Sequence, residues 1–214
     1  MAVSIENLKS EIRQCLQPAI PYLLNKGIYP NKISIGLLCG SILFGIIIPA
    51  FALVHIVFLF LFPIWCAVRV GFGIIEDIMS KECDLNSPER IVLNELTNVI
   101  SDLAMYFPLI ILVPQALPSI FFFAIGSVII EFCGLLGLLN GSNRRCDGPM
   151  GKNNRIICVC ALIVPGVFFP GLISYWNIMF LPGIILMVLT CRNRIAGAIQ
   201  GINSPDGAKK TVSE

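Results

Sequence analysis

Several polar side chains sit inside apolar stretches of this chain, and their spacing sorts them into two rows. Gly73, Glu76, Asp77 and Ser80 are separated by threes and fours near the end of one stretch, so on a helix they share a face. Asn94, Asn98 and Asp102 repeat every fourth residue in the next, with Arg90 one turn ahead of them and Glu95 and Ser101 beside them. An ionisable group at membrane depth costs on the order of 2.5–3.5 kcal/mol on insertion scales, so it faces a partner or a wet cavity. Two such rows at the inner ends of adjacent helices imply a hydrophilic pocket open to the cytoplasm, or else a hydrogen-bonded seam between helices. The chemistry available to a pocket is plain. Carboxylate and amide oxygens ligate hard divalent cations, a carboxylate can act as a base, and arginine pairs with anions. Glu131, alone in a later apolar stretch, also needs a partner. Arg69 and the amides of the Asn94 row are the candidates, and packing would explain Glu131 as well as catalysis would.

The elements that carry these rows follow from composition. The 214 residues are 56% hydrophobic and 13% charged, with mean hydropathy +0.84, which marks an integral membrane protein. Stretches at 33–51, 53–75, 91–113, 117–139, 156–172 and 174–191 each approach the ~20 apolar residues that a spanning helix needs. The expected fold is therefore all-α: a six-transmembrane-helix bundle over residues 31–194, preceded by an interfacial segment over 1–30 and followed by a cytoplasmic tail over 195–214. Ile5, Leu8, Ile12 and Leu16 at helical spacing, opposite Glu6, Lys9 and Arg13, predict an amphipathic helix from Ser4 to Gln17, ended by Pro18 and Pro21. Lys and Arg fall on one side only: before the first span, between spans two and three, between four and five, and after the sixth. Both termini are thus expected in the cytoplasm, and a bacterial inner membrane is the expected location.

A net charge of +2, with basic residues where orientation already requires them, gives no reason to expect nucleic acid. The first thirty residues lack the apolar core and cleavage site of a secretory signal. Nine cysteines form no C-x-x-C pair and the single histidine, His55, lies on the outer side, so zinc is not expected. Cys83 and Cys146 share the cytoplasmic face and are the pair that could meet. Arg144, Arg145, Lys152 and Arg155 could contact an anionic head group, although orientation alone would also place them there.

The frame Gly73, Glu76, Asp77, Ser80, Lys81, Arg90, Asn94, Asn98 has the spacing D-x2-D-G-x2-A-R-x8-G-x3-D-x3-D and resembles the CDP-alcohol phosphatidyltransferase family. Pro30-Asn31-Lys32-Ile33-Ser34 resembles the opening of that family's first span, and Gly151-Lys152-Asn153-Asn154-Arg155 stands where relatives carry a basic stretch. The resemblance covers the whole chain. It implies a homodimer, and a reaction in which four aspartates hold two divalent ions on the diphosphate of a CDP-linked lipid. An alcohol attacks the phosphorus, CMP leaves, and the fourth aspartate acts as base. Carried onto this chain, the metal positions are Glu76, Asn94 and Asn98, with Gly73 supplying no ligand. Asn98 occupies the base position. Asp77, Ser80, Lys81, Arg90, Lys152 and Arg155 are the expected substrate-binding residues.

Five of those eight positions depart in kind from the pattern: Gly73, Asp77, Arg90, Asn94 and Asn98. An amide brings no charge to a metal and accepts no proton as a base, and Asp77 and Arg90 put bulk where glycine would admit the nucleotide. The expected function is binding of a phospholipid-related ligand at a degenerate site, with little or no catalysis and no metal. Two alternatives stand beside it. One is an active, divergent transferase using Mg2+ or Mn2+ on rearranged carboxylates such as Glu76, Asp77 and Asp102; the other is a non-enzymatic partner or scaffold of an active homologue. In each case the expected partners are membrane lipids and a CDP-lipid or phospholipid ligand.

Overall fold

The computed structural model describes residues 17–82, 87–139 and 147–202. The amphipathic segment before Gln17, Cys83, Asn140, Arg144, Arg145, Cys146 and the tail after Ile202 lie outside the described residues. Among those described, the chain is helical with no strand. The elements are α1 Ala19–Asn25, α2 Pro30–Val54, α3 Leu61–Glu82, α4 Pro88–Tyr106, α5 Leu109–Leu112, α6 Leu117–Leu139, α7 Lys152–Phe168, α8 Trp176–Met179 and α9 Leu181–Ile202. Short 3-10 turns at Ile56–Phe60, Pro114–Ala116 and Pro170–Tyr175 join them on one side. Pro21 falls in the first turn of α1, where its missing N–H costs nothing.

Among the described residues, five helical stretches are long and apolar enough to cross a membrane: Pro30–Val54, Ile56–Lys81, Glu89–Leu112, Pro114–Leu136 and Pro170–Gln200. The 17-residue α7 buries Ile156, Val159 and Ile163 at helical spacing against the rest of the bundle, while Ile157 on its opposite face is 63% exposed. Similar outward apolar side chains, such as Ile46, Val92, Phe122 and Val188, form the surface that lipid would cover.

Helix α2 packs on α3 and α4, α6 on α9 and α4, and α7 on α3. The core is aromatic where these groups meet. Phe123 stands edge to face with Tyr106 at 5.5 Å and with Phe180 at 5.1 Å, and Phe180 in turn with Trp176 at 6.2 Å. The polar ends of α3 and α9 continue as helix beyond the apolar stretches, through Glu82 and Ile202, so hydropathy alone understates both. That extra length keeps Ser80 in helical register with Glu76. Helix α4 starts where Ser87 Oγ accepts the Arg90 backbone N–H at 3.2 Å and Pro88 takes the first position, a cap that fixes the phase of the Arg90–Asn94–Asn98–Asp102 row.

The α2–α4 crossing depends on one residue without a side chain. A Cβ on Gly45 would lie 2.1 Å from the carbonyl oxygen of Ala104, whereas one on Gly36 meets nothing within 4 Å. Gly45→Ala is expected to cost ~1–3 kcal/mol or more through forced separation of the backbones, with Gly36→Ala within ~0.5 kcal/mol of the parent. Thermal unfolding of both variants in detergent checks the contrast.

Candidate functional site

The two rows do meet, and they face a third element that sequence spacing does not bring near them. Gly73, Glu76 and Asp77 of α3, Asn94 of α4, and Gly148, Gly151, Lys152, Asn153 and Asn154 around the start of α7 line a cleft of about 400 Å³. The segment before α7 is held firmly. Met150 N–H donates to Thr190 Oγ1 at 3.0 Å, and Asn154 Nδ2 to the Pro149 carbonyl at 2.7 Å. Gly148 has φ +115°, a conformation that favours glycine, and a side chain there would strike Thr190 at 2.7 Å.

Glu76 is buried, and its carboxylate is already answered. Its Oε1 accepts the Ser34 hydroxyl at 2.6 Å and lies 3.6 Å from Arg90 Nη2. Arg90 also donates to the Glu76 carbonyl at 3.4 Å and to the Ser80 hydroxyl. It is thus folded against α3 instead of reaching into the cleft. Across from it, Lys152 Nζ donates to Asn98 Oδ1 at 2.5 Å, and Asn98 Nδ2 donates to Asn94 Oδ1 at 2.7 Å. Asp77 is exposed at the rim, and Lys81 is exposed one turn beyond it.

One turn further from the cleft lies a buried ionic chain. Arg69 Nη2 meets Asp102 Oδ1 at 2.9 Å, and Asp102 Oδ2 meets Arg155 Nη2 at 3.1 Å. The same Arg155 nitrogen meets Glu131 Oε1 at 2.6 Å, and Glu131 Oε2 meets Arg194 Nη1 at 3.3 Å. These side chains are only 1–4% exposed. Arg194 also caps the Ile130 carbonyl at 2.7 Å. The structure pairs Glu131 with Arg155 and Arg194, where α6 packs against α9, while Arg69 pairs with Asp102. Arg155 lies inside this chain and away from the cleft wall, and Asp102, held by two guanidiniums, is not available to join Glu76 and Asp77 around an ion.

Of the residues named from sequence, the structure brings Glu76, Asp77, Asn94 and Lys152 to one cleft, with Asn98 behind its wall. Sequence reasoning did not foresee Ser34 as the donor to Glu76 or Arg194 as a partner of Glu131. Ser34, a polar residue at the start of the first apolar stretch, carried a faint signal. Lys152 and Asn98 are 54 residues apart, and no periodicity connects them.

The donor set is a poor match for divalent cations. Such ions require several anionic oxygens, yet among Gly73, Glu76, Asn94 and Asn98 only Glu76 is a carboxylate, and the Asn94 and Asn98 oxygens each accept a protein N–H. Among the described residues no group of three or more His, Cys, Asp or Glu is placed to hold a metal. The residues present do not fit a two-metal centre.

No family model matches the chain. It is 26% identical over 192 residues to the inner membrane protein YnbA of Escherichia coli (strain K12), covering 90% of this chain and 94% of that protein. Its structure is similar to that of a phosphatidylinositol phosphate synthase of Mycobacterium tuberculosis. The crystal structure with manganese and citrate gives a TM-score of 0.71 at 20% identity over 89% of this chain and 90% of the synthase. The chain has that synthase's fold. The synthase structure with CDP-DAG bound gives the same score over 89% and 94% of the two chains, and the apo form gives 0.67 at 19% identity.

The ionic chain yields a direct expectation. Glu131→Ala leaves Arg155 and Arg194 without their shared carboxylate and is expected to destabilise the protein by ~3–5 kcal/mol. Combining it with Arg194→Leu should cost less than the sum of the two single changes, measured by thermal unfolding in one detergent. Additive losses would show that the two residues do not interact.

Proposed function

We propose that this protein is an inner-membrane member of the CDP-alcohol phosphatidyltransferase family that binds a CDP-linked or phosphorylated lipid in its cytoplasmic cleft rather than converting it. Three things support the family assignment. The motif spacing is kept from Gly73 to Asn98, the fold is that of a synthase whose structure is known with CDP-DAG bound, and the relative YnbA is an inner membrane protein. In this reading α7 also spans, as the fifth of six helices in chain order, the termini are cytoplasmic, and residues 31–194 form the membrane domain.

The observation that carries the binding reading is at Asn98. The residue at the position of the base is an amide whose oxygen already accepts the Lys152 ammonium at 2.5 Å. It offers no site for the proton of an attacking alcohol, and loss of a general base alone is worth ~10²–10⁴ in rate. The cleft of about 400 Å³ is the space in which the polar end of such a lipid would sit.

Purified protein given CDP-diacylglycerol, Mn2+ and a panel of alcohols, among them glycerol 3-phosphate and inositol phosphate, is expected to release no CMP above a protein-free control. CMP release that disappears in Glu76→Ala would establish the divergent-transferase alternative and overturn this proposal.

A further inference from the structure

The direction of the hydrogen bonds along the cleft wall is set at one end by chemistry, and that direction says what the cleft can hold. An ammonium is a donor only, so the Asn98 amide has to present its oxygen to Lys152, at 2.5 Å. Asn98 Nδ2 is then left to donate to Asn94 Oδ1, at 2.7 Å. Asn94 Nδ2 is the free end of the relay, and among the described residues it has no partner. Asn94 and Lys152 both line the cleft. The side-chain oxygens of Asn94, Asn98 and Glu76 are engaged in the wall, and the further N–H bonds of Lys152 and the amide N–H of Asn94 are donors; the carboxylate of Asp77 stays at the exposed rim. Glu76, whose charge would oppose an anion, is covered by the Ser34 hydroxyl at 2.6 Å and by Arg90 at 3.6 Å.

Resting on the reading of this cleft as a lipid-ligand site, we propose that Lys152, Asn98 and Asn94 form a metal-independent anion site for a phosphate or diphosphate ester. Lys152 and Asn94 contact the phosphoryl oxygens. Asn98 is a positioning residue that orients both donors. This chain puts its own ammonium and amide nitrogens against the phosphate, where charge-assisted hydrogen bonds are about twice as strong as neutral ones.

The test uses the full chain in phosphatidylcholine nanodiscs containing EDTA. The probes are CDP-diacylglycerol and phosphatidate in the bilayer, and CDP and inorganic phosphate in solution. Binding of at least one probe that is unchanged by EDTA is expected. Affinity for the bilayer probes alone would identify a lipid phosphate as the ligand, and equal affinity for CDP or phosphate a soluble one. Lys152→Met is expected to weaken binding at least ~10-fold, the usual scale of a lost charged hydrogen bond. Asn98→Asp should weaken it as well, because aspartate has no N–H to hold the Asn94 oxygen inward. The double variant Asn94→Asp, Asn98→Asp replaces donors with acceptors. It should lose the anion and gain Mn2+ binding visible by electron paramagnetic resonance, a positive signal that misfolding cannot imitate. Absence of any binding in EDTA, wild-type binding that requires Mn2+, or an unchanged affinity in Lys152→Met would each overturn the anion site. CMP release, measured separately on the same preparation, reports on the functional reading: protein that neither turns over nor binds in EDTA refutes the site alone, and protein that turns over refutes the reading beneath it.

Discussion

The bundle is organised around the buried chain Arg69–Asp102–Arg155–Glu131–Arg194. Each of its five members comes from a different helix: α3, α4, α7, α6 and α9 in that order. Burying an ion costs several kcal/mol unless a partner of opposite sign is at hydrogen-bond distance. The chain therefore allows little slippage of one helix past another, since a displacement by one turn would strand a charge in an apolar interior. Arg155 is the central member. It touches both carboxylates and donates to the Met150 carbonyl at 3.4 Å, so it ties the start of α7 to α4 and α6 at once.

The cleft inherits its shape from this arrangement. Lys152 lies one turn before Arg155 on α7, and Asn98 one turn before Asp102 on α4, so the ion pair between Arg155 and Asp102 sets the neighbouring Lys152–Asn98 contact in register. On the far side, α2 joins through Ser34 and Glu76, and the close approach at Gly45 brings α2 against α4. The segment from Gly148 to Asn154 is clamped to α9 through Thr190. A polar relay with contacts of 2.5 and 2.7 Å needs rigid supports, and here the supports are the ionic chain, one glycine crossing and one threonine.

The charges around the cleft are answered locally. Among Gly73, Glu76, Asn94 and Asn98 the one carboxylate is Glu76, with the Ser34 hydroxyl at 2.6 Å and the Arg90 guanidinium at 3.6 Å, while the Lys152 ammonium meets the Asn98 oxygen. Removing Arg90 would leave Glu76 buried without its guanidinium.

Much was legible in the sequence because local spacing carries it. Apolar length gave helical stretches, the threes and fours from Gly73 to Ser80 and from Arg90 to Asp102 gave two polar faces, and the eight-position frame gave the fold that the synthase structures share. The rest depended on which side chains meet across 24 to 64 residues of chain. The sequence suggested Arg69 for Glu131; packing of α6 on α9 assigned Arg155 and Arg194 instead, and sent Arg69 to Asp102. It named both Arg90 and Lys152 as substrate-binding residues, but one is folded back onto Glu76 and the other stands at the Asn98 oxygen. The sequence by itself determined that this chain is helical, apolar and carries two polar faces, because periodicity is a local property. Only the tertiary structure decided which charges neutralise one another and which N–H groups are left facing the cleft, because a hydrogen bond's direction depends on the partner that folding brings to it.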